Sequence, residues 1–297
     1  MSDANEPPLF PPEFDIGFYR RRHPWLRLLP ETMVRRRWER HGRAAGRQAT
    51  APAVRAEFLH LFSAHRPILE IGPLDRPMVR GEGVAYFDVL DRAGLIDKIR
   101  NNPRRTGEVP DIDYVSPTGD LRIVDRKFRA VCSSHAIEHQ PDLVKHLVDV
   151  ADLLEDGGFY FVLMPDKRFC FDHFGSETTI ADVVEAHRLK REVHGLRTIV
   201  QHIGLQTHNE TMRHWRGDHL DSNYAAETPA RVRRALALFD RSKGSYIDAH
   251  AWRFTPTSFR TIIDQMKALG LTPFVPLRVY DTPRPRVEFA AILQKRL

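Results

Sequence analysis

Between residues 67 and 165 short apolar runs alternate with stretches of helical periodicity, and this alternation constrains the fold more than any other feature. PILEIG (67–72), VAYFDVL (84–90), DIDYV (111–115), AVCSSH (130–135) and FYFVLMP (159–165) read as five strands. Helical stretches fall at 53–65, 92–100 and 142–154, and Asp156-Gly157-Gly158 reads as the turn into the fifth strand. Strands interleaved with helices predict βαβ units and a parallel sheet. Only about 11 residues separate Gly72 from Val84, near the minimum for a parallel crossover, so the first crossover helix is expected to be about one turn. After residue 165 the alternation lapses. It resumes with TPTSFRTIIDQMKALG (255–270), whose Thr-Pro start and glycine stop mark a helix, then strands near 273–280 and at 287–294. The short link between those two strands permits an antiparallel pair only. The expected fold is α/β: a Rossmann-like, seven-stranded, mostly parallel sheet with an antiparallel last strand. Its expected units are a basic arm (1–52), a sheet domain (53–165 with 250–297) and a helical insertion (166–249) above the sheet's carboxyl edge.

Charge is concentrated rather than spread. Of the net +6, residues 20–47 carry ten arginines against Glu31 and Glu39, interleaved with Trp25, Leu26, Leu28, Leu29, Met33, Val34 and Trp38. A basic amphipathic segment of this kind packs on its own domain through the apolar face or lies on an anionic membrane surface. No nucleic-acid-binding motif accompanies it, so nucleic acid is not the expected partner. Residues 1–15, MSDANEPPLFPPEFD, are acidic and proline-rich and are expected to be disordered; they lack the basic start and apolar stretch of a signal peptide. No apolar run approaches the roughly 18 residues of a membrane span. Two cysteines, Cys132 and Cys170, are too few for a disulfide framework, and a cytoplasmic location is expected.

In open α/β sheets ligands bind at the carboxyl ends of the strands, where the strand order reverses. Gly72 closes the first strand and lets the backbone turn tightly. Asp88 closes the second, where a carboxylate can accept both hydroxyls of a ribose. The succession ILEIG, YFDVL, SSHAIEHQPDLVKHL and LLEDGGFYFVLMPD, with RFTPTSFRTIIDQMKALGL near the end, resembles the class I S-adenosylmethionine-dependent methyltransferases. The likeness is greatest to the bacterial type-11-like group associated with glycan synthesis. It covers about residues 55–170 and resumes at 250–297. The resemblance implies S-adenosylmethionine as cofactor. It implies that Glu70 and Gly72 meet the cofactor's methionine end, that Asp88 holds the ribose, that Asp120 and Leu121 flank the adenine, and that Ser134 and His135 border the methyl group. Leu74 and Arg76 stand where the family's second and third glycines would be. That departure leaves a non-catalytic binding protein on the same fold as an alternative.

A third possibility lies in HAIEH (135–139), which is also the His-x-x-Glu-His pattern of an inverted zinc peptidase. Such a site needs a helix presenting His135 and His139 on one face with Glu138 as base. Here His135 follows a strand directly and Pro141 breaks the segment. Seven histidines lie between 173 and 219, at spacings that match no compact ligand set, so no metal is expected. The expected activity is O-methylation of a glycan or small-molecule acceptor. A hydroxyl acceptor needs a base, for which the candidates are His139, His173 and Asp166; a phosphate or carboxylate acceptor would need only cations such as Lys167 or Arg168.

Overall fold

The computed structural model describes residues 9–103 and 105–296. Its centre is a seven-stranded sheet: β1 (Ile68–Ile71), β2 (Val84–Asp88), β3 (Tyr114–Val115), β4 (Phe128–Ser134), β5 (Leu154–Pro165), β6 (Phe274–Tyr280) and β7 (Glu288–Lys295), in the order β3-β2-β1-β4-β5-β7-β6. The first five pair in parallel, and β7 runs antiparallel between β5 and β6. This is the Rossmann-like arrangement expected, with its switch in strand order between β1 and β4.

The helices are α1 (Ile16–Arg22), α2 (Glu31–Arg37), α3 (Arg55–Phe62), α4 (Arg92–Ile99), α5 (Leu143–Leu153), α6 (Ile180–Arg188), α7 (Leu196–Ile199), α8 (Thr211–His214), α9 (Tyr224–Ser242) and α10 (Pro256–Ala268). Those that cover the sheet have well-marked starts. Asp142 caps α5 by accepting from Lys145 N at 2.9 Å, and Thr255 with Ser258 forms a capping box at α10 behind Pro256. Each such cap stabilises its helix by about 1 kcal/mol. One sheet face packs on α5, α6 and α10 through Leu147, Val150, Val183, Phe259 and Ile263. The other packs on Phe58 and Phe62 of α3 together with Phe10, Met78 and Val79. The helices between β5 and α10 carry a small apolar cluster of their own, Ile199, Ile203, Ala235 and Ala249.

The structure departs from three expectations. Residues 72–83 contain no helix at all, so β1 passes to β2 through an irregular crossover. Met78 and Val79 fill the space a helix would cover, and their backbone N–H groups donate to the buried Glu70 carboxylate. Second, Asp156-Gly157-Gly158 lies within β5 rather than before it: the strand starts at Leu154, its register shifts against Phe128–Ala130, and Gly157 takes φ +74°. Third, the proline-rich start is pinned from residue 9 onward. Phe10 is buried edge-on to Phe159 and Phe161, and Asp15 caps α1. Proline-rich composition argued for disorder, but two buried phenylalanines, Phe10 and Phe14, offset the ordering entropy. The expectation for residues 1–8 lies outside the described residues.

In the basic arm, Phe14, Tyr19, Leu26, Val34 and Trp38 form a compact core, so the segment does pack through an apolar face. A second set of apolar side chains points outward: Leu28 is 97 % exposed and Trp25 64 %. Among the described residues no helix is long and apolar enough to cross a membrane.

Candidate functional site

The switch point lies between the carboxyl ends of β1 and β4, and both ends turn on a left-handed residue. Gly72 has φ +72° and donates its N–H to Phe87 O at 2.9 Å. A Cβ on Gly72 would make ordinary van der Waals contact with the Ala136 Cβ, at 3.7 Å, so it is the backbone conformation rather than a clash that calls for glycine here. His135, at the end of β4, has φ +52° and donates its backbone N–H to Leu163 O at 2.8 Å. A non-glycine residue in that region is strained and must be held by its surroundings. Here the clamp is Glu288, whose Oε2 lies 2.9 Å from His135 Nε2 and which Arg55 grips at 3.0 and 2.8 Å. Arg55 also donates to the Ser134 hydroxyl at 2.5 Å. Burial alone would raise the Glu288 carboxyl, but hydrogen bonds from His135 and Arg55 outweigh it and hold the group at about 2. Arg55 and Glu288 were not foreseen from the sequence. The available signals were a charged residue opening the otherwise apolar last strand and an arginine opening α3.

Parallel pairing of β1 with β2 sets Asp88 beside this point, one residue past the Ile71–Phe87 pair. Asp88 is 9 % exposed, and its Oδ1 accepts from Val89 N at 2.7 Å and Leu90 N at 3.3 Å. No hydrogen bond to its Oδ2 forms among the described residues, which leaves that oxygen for a ligand. Burial raises the Asp88 carboxyl above its usual range, against the pull of the two N–H groups. Beside it stand exposed apolar side chains: Val89 and Leu90, next in the chain, and Val115, its partner on β3. Gly119 approaches Val89, so the loop carrying Asp120 and Leu121 adjoins Asp88's own loop. Asp120 is engaged by Arg122, whose side chain and backbone N–H hold it at about 2. The Leu121 side chain is buried in the core. Glu70 is buried one residue before β1 ends, with Met78 N 2.8 and 2.9 Å from its two oxygens and Val79 N at 3.2 Å; burial pushes its carboxyl up to about 7.

Gly72, Asp88, Ser134 and His135 thus gather along adjacent strand ends, while two of the candidate bases, Asp166 and His173, meet through Arg168 and the third, His139, lies by Asp248. Asp166 is fully buried, and Arg168, Arg168 N and the Thr282 hydroxyl occupy both its oxygens, leaving neither free to take a proton. His139 sits on a short turn, Ile137–His139, with Nδ1 2.7 Å from Asp248 Oδ1. Burial lowers its pKa, but Asp248 and Glu138 outweigh that and raise it overall. His173 stacks on His219 at 3.8 Å and places Nδ1 2.9 Å from Arg168 O. A ring N–H donated there leaves Nε2 as a proton acceptor, and burial lowers the His173 pKa, favouring the neutral ring. The His-x-x-Glu-His peptidase arrangement is not formed. The segment is no α-helix, and His135 pairs with Glu288 rather than joining His139 on one face.

No family model and no curated protein matches the sequence. Among solved structures it is similar to the CcbJ methyltransferase from Streptomyces caelestis, at 19 % identity over 41 % of this chain and 56 % of that one, with a TM-score of 0.26. It is similar to the trans-methyltransferase CalH in complex with SAH, at 13 % identity over 90 % of this chain and 60 % of that one, TM-score 0.39. It is also similar to magnesium protoporphyrin IX methyltransferase (ChlM) from Synechocystis PCC 6803 with bound SAH, at 11 % identity over 90 % and 100 %, TM-score 0.34. The chain spans little more than half the length of the CcbJ and CalH chains. These overlaps are too shallow to bear on function.

Proposed function

We propose that this chain is an S-adenosylmethionine-dependent methyltransferase that methylates a hydroxyl of a glycan or small molecule. The observation that carries the proposal is the pairing of Gly72 with Asp88 at the switch in strand order. An adenosyl group needs a close backbone approach, an acid for its ribose and apolar surface for its base. Gly72 at φ +72° with no side chain of its own, the unengaged Oδ2 of Asp88, and exposed Val89, Leu90 and Val115 meet those three needs. Where the family's second glycine would be, Leu74 itself takes the left-handed conformation, φ +48°, and the chain runs on to Met78, whose N–H is held by Glu70. Bound there, S-adenosylmethionine would supply an electrophilic methyl group.

Ser134 and His135 stand at the adjoining end of β4, where the Arg55–Glu288 clamp fixes their backbone. Positioning of that kind contributes to an in-line transfer chiefly through proximity. His173 is the base best prepared to take a hydroxyl proton. Its Nδ1–H is fixed by Arg168 O, its Nε2 makes no hydrogen bond among the described residues, and burial lowers its pKa and favours the neutral ring. Among hydroxyl acceptors, the sequence resemblance favours a glycan.

The test is transfer of a labelled methyl group from S-adenosylmethionine to panels of sugar and small-molecule hydroxyl acceptors. Transfer that falls at least tenfold in His173→Gln, with the pH–rate profile flattened, supports both the activity and the base. Absence of transfer to every acceptor, in a protein that binds the cofactor product, would favour a binding protein on the same fold.

A further inference from the structure

We propose that Glu138, His139 and His250 bind a divalent transition-metal ion of the zinc class, with Asp172 orienting His250. The starting observation is Glu138. It is 0 % exposed, and neither carboxylate oxygen has a hydrogen-bond partner among the described residues. The nearest cationic candidate, His135 Nδ1, is 3.6 Å from Oε1, beyond hydrogen-bonding reach. A buried carboxylate in that state must be neutralised or must coordinate a cation.

The surroundings supply the remaining donors. One ligand atom each from Glu138, His139 and His250 lie within 4.8 Å of one another. The two segments are joined by backbone bonds: Glu138 O accepts from Ala251 N at 2.7 Å and Trp252 N at 3.2 Å, and Gln140 O accepts from the Trp252 indole at 2.6 Å. The chain from 250 to 252 is therefore fastened to the turn that carries Glu138 and His139. His250 Nδ1 lies 2.5 Å from Asp172 Oδ2, and Asp172 is in turn held by Arg253 at 3.2 Å. An imidazole whose Nδ1–H is taken by a carboxylate keeps its Nε2 lone pair for a metal, the usual carboxylate–histidine–metal relay. Asp248 Oδ1 lies 2.7 Å from His139 Nδ1 as an ion-pair neighbour, and the Nδ1 itself makes no aligned hydrogen bond among the described residues. Two imidazoles and one carboxylate form a nitrogen–oxygen set suited to zinc and its neighbours, and three protein ligands leave a further coordination position.

Two other histidine clusters do not compete. In the first, Asp172, His202 and His250, the acid is already engaged: Asp172 serves Arg253 and His250, and His202 Nδ1 accepts from His250 N. In the second, His173, His214 and His219, His214 uses one ring nitrogen on His219 and the other on His208 O, and His173 uses Nδ1 on Arg168 O. Only the Glu138 cluster holds a buried acid with no partner. It uses the His139 and Glu138 of the His-x-x-Glu-His string, but takes its second histidine from residue 250 and makes the glutamate a ligand rather than a base. The site is independent of whether the chain binds a nucleoside.

The test uses the full chain, stripped with a chelator and titrated with zinc in competition with a chromophoric chelator. The expected result is one zinc per chain, with affinity reduced at least a hundredfold in Glu138→Gln and His250→Ala. Asp172→Asn should weaken binding about 10–100-fold, and His214→Ala should leave it unchanged. Substituting cobalt in the wild-type protein should give visible absorption of a four- or five-coordinate nitrogen–oxygen site, a readout that does not depend on any variant folding. Absence of stoichiometric zinc, unchanged affinity in a folded Glu138→Gln, or loss of binding in His214→Ala would overturn the assignment.

Discussion

Replacing Glu70 with alanine should unfasten the crossover from β1 to β2. In a doubly wound sheet a helix normally satisfies that crossover's backbone; here the Glu70 carboxylate does so, accepting from Met78 N at 2.8 and 2.9 Å and from Val79 N at 3.2 Å. The variant leaves two buried N–H donors unpaired, at about 1–3 kcal/mol each, so about 2–6 kcal/mol in all. That is a large share of a typical domain's stability of roughly 5–15 kcal/mol. The loss should depend on pH. The Glu70 carboxyl is pushed by burial from 4.5 to about 7 in the folded chain. Below the unfolded value it is protonated in both states and burying it carries no charge penalty. As pH rises through the folded value the folded state must accommodate a buried charge, and stability on the order of 3 kcal/mol is lost. The alanine variant has no such titration, so its deficit against wild type should shrink between pH 5 and pH 8. Urea unfolding followed by tryptophan fluorescence at several pH values measures both effects. A deficit under about 0.5 kcal/mol at pH 5, or one that grows as pH rises, would refute the role given to Glu70.

Further outcomes follow from other parts of the molecule. Gly72→Ala places a side chain at φ +72°, where the cost is about 1–2 kcal/mol and no clash is met, since the nearest atom is 3.7 Å away; a thermal shift larger than that would mean the loop is packed more tightly than described. Glu288→Gln removes the charge that clamps His135 and Arg55, and should lower methyl transfer while leaving the unfolding midpoint within a few degrees of wild type; unchanged transfer would show that the strained His135 backbone needs no clamp. The arginine-rich arm exposes Leu28 and Trp25 beside its cations, so the chain should float with anionic vesicles at low salt and be released at high salt, and Trp25→Ala with Leu28→Ser should abolish flotation. Absence of binding to anionic vesicles at low salt would remove the membrane proposal.

The sheet was legible because its strands are apolar runs separated by turn residues, and hydrophobic periodicity is a local signal. Each of the seven strands overlaps the run that marks it in the sequence, although β5 begins five residues early and β3 is only Tyr114–Val115, and the short link between 280 and 288 did yield antiparallel pairing. The helix-free crossover was not legible, because its stability comes from one buried carboxylate contacting residues 78 and 79, a contact that periodicity does not report. Phe10 was missed for a related reason: proline-rich composition describes the local chain, whereas its order comes from Phe159 and Phe161 far along the sequence. At the candidate site, strand-end position and the family resemblance singled out Gly72 and Asp88, and the structure sets the two at neighbouring strand ends. Glu288 and Arg55, and equally His250 and Asp172, are joined only by tertiary folding, the partners standing 233 and 78 positions apart in the sequence. The spacing of the histidines concealed the Glu138 cluster because its donors come from both sides of a helical insertion.

The central claim is that the crevice between Gly72 and Asp88 holds an adenosyl group, and titration calorimetry of the purified chain with S-adenosylhomocysteine tests it directly. The expected result is one site per chain with affinity in the micromolar range or tighter, lost in Asp88→Ala because the ribose gives up two charge-assisted hydrogen bonds of about 1.5–3 kcal/mol each. No heat at millimolar ligand, or equal affinity in the alanine variant, would contradict it.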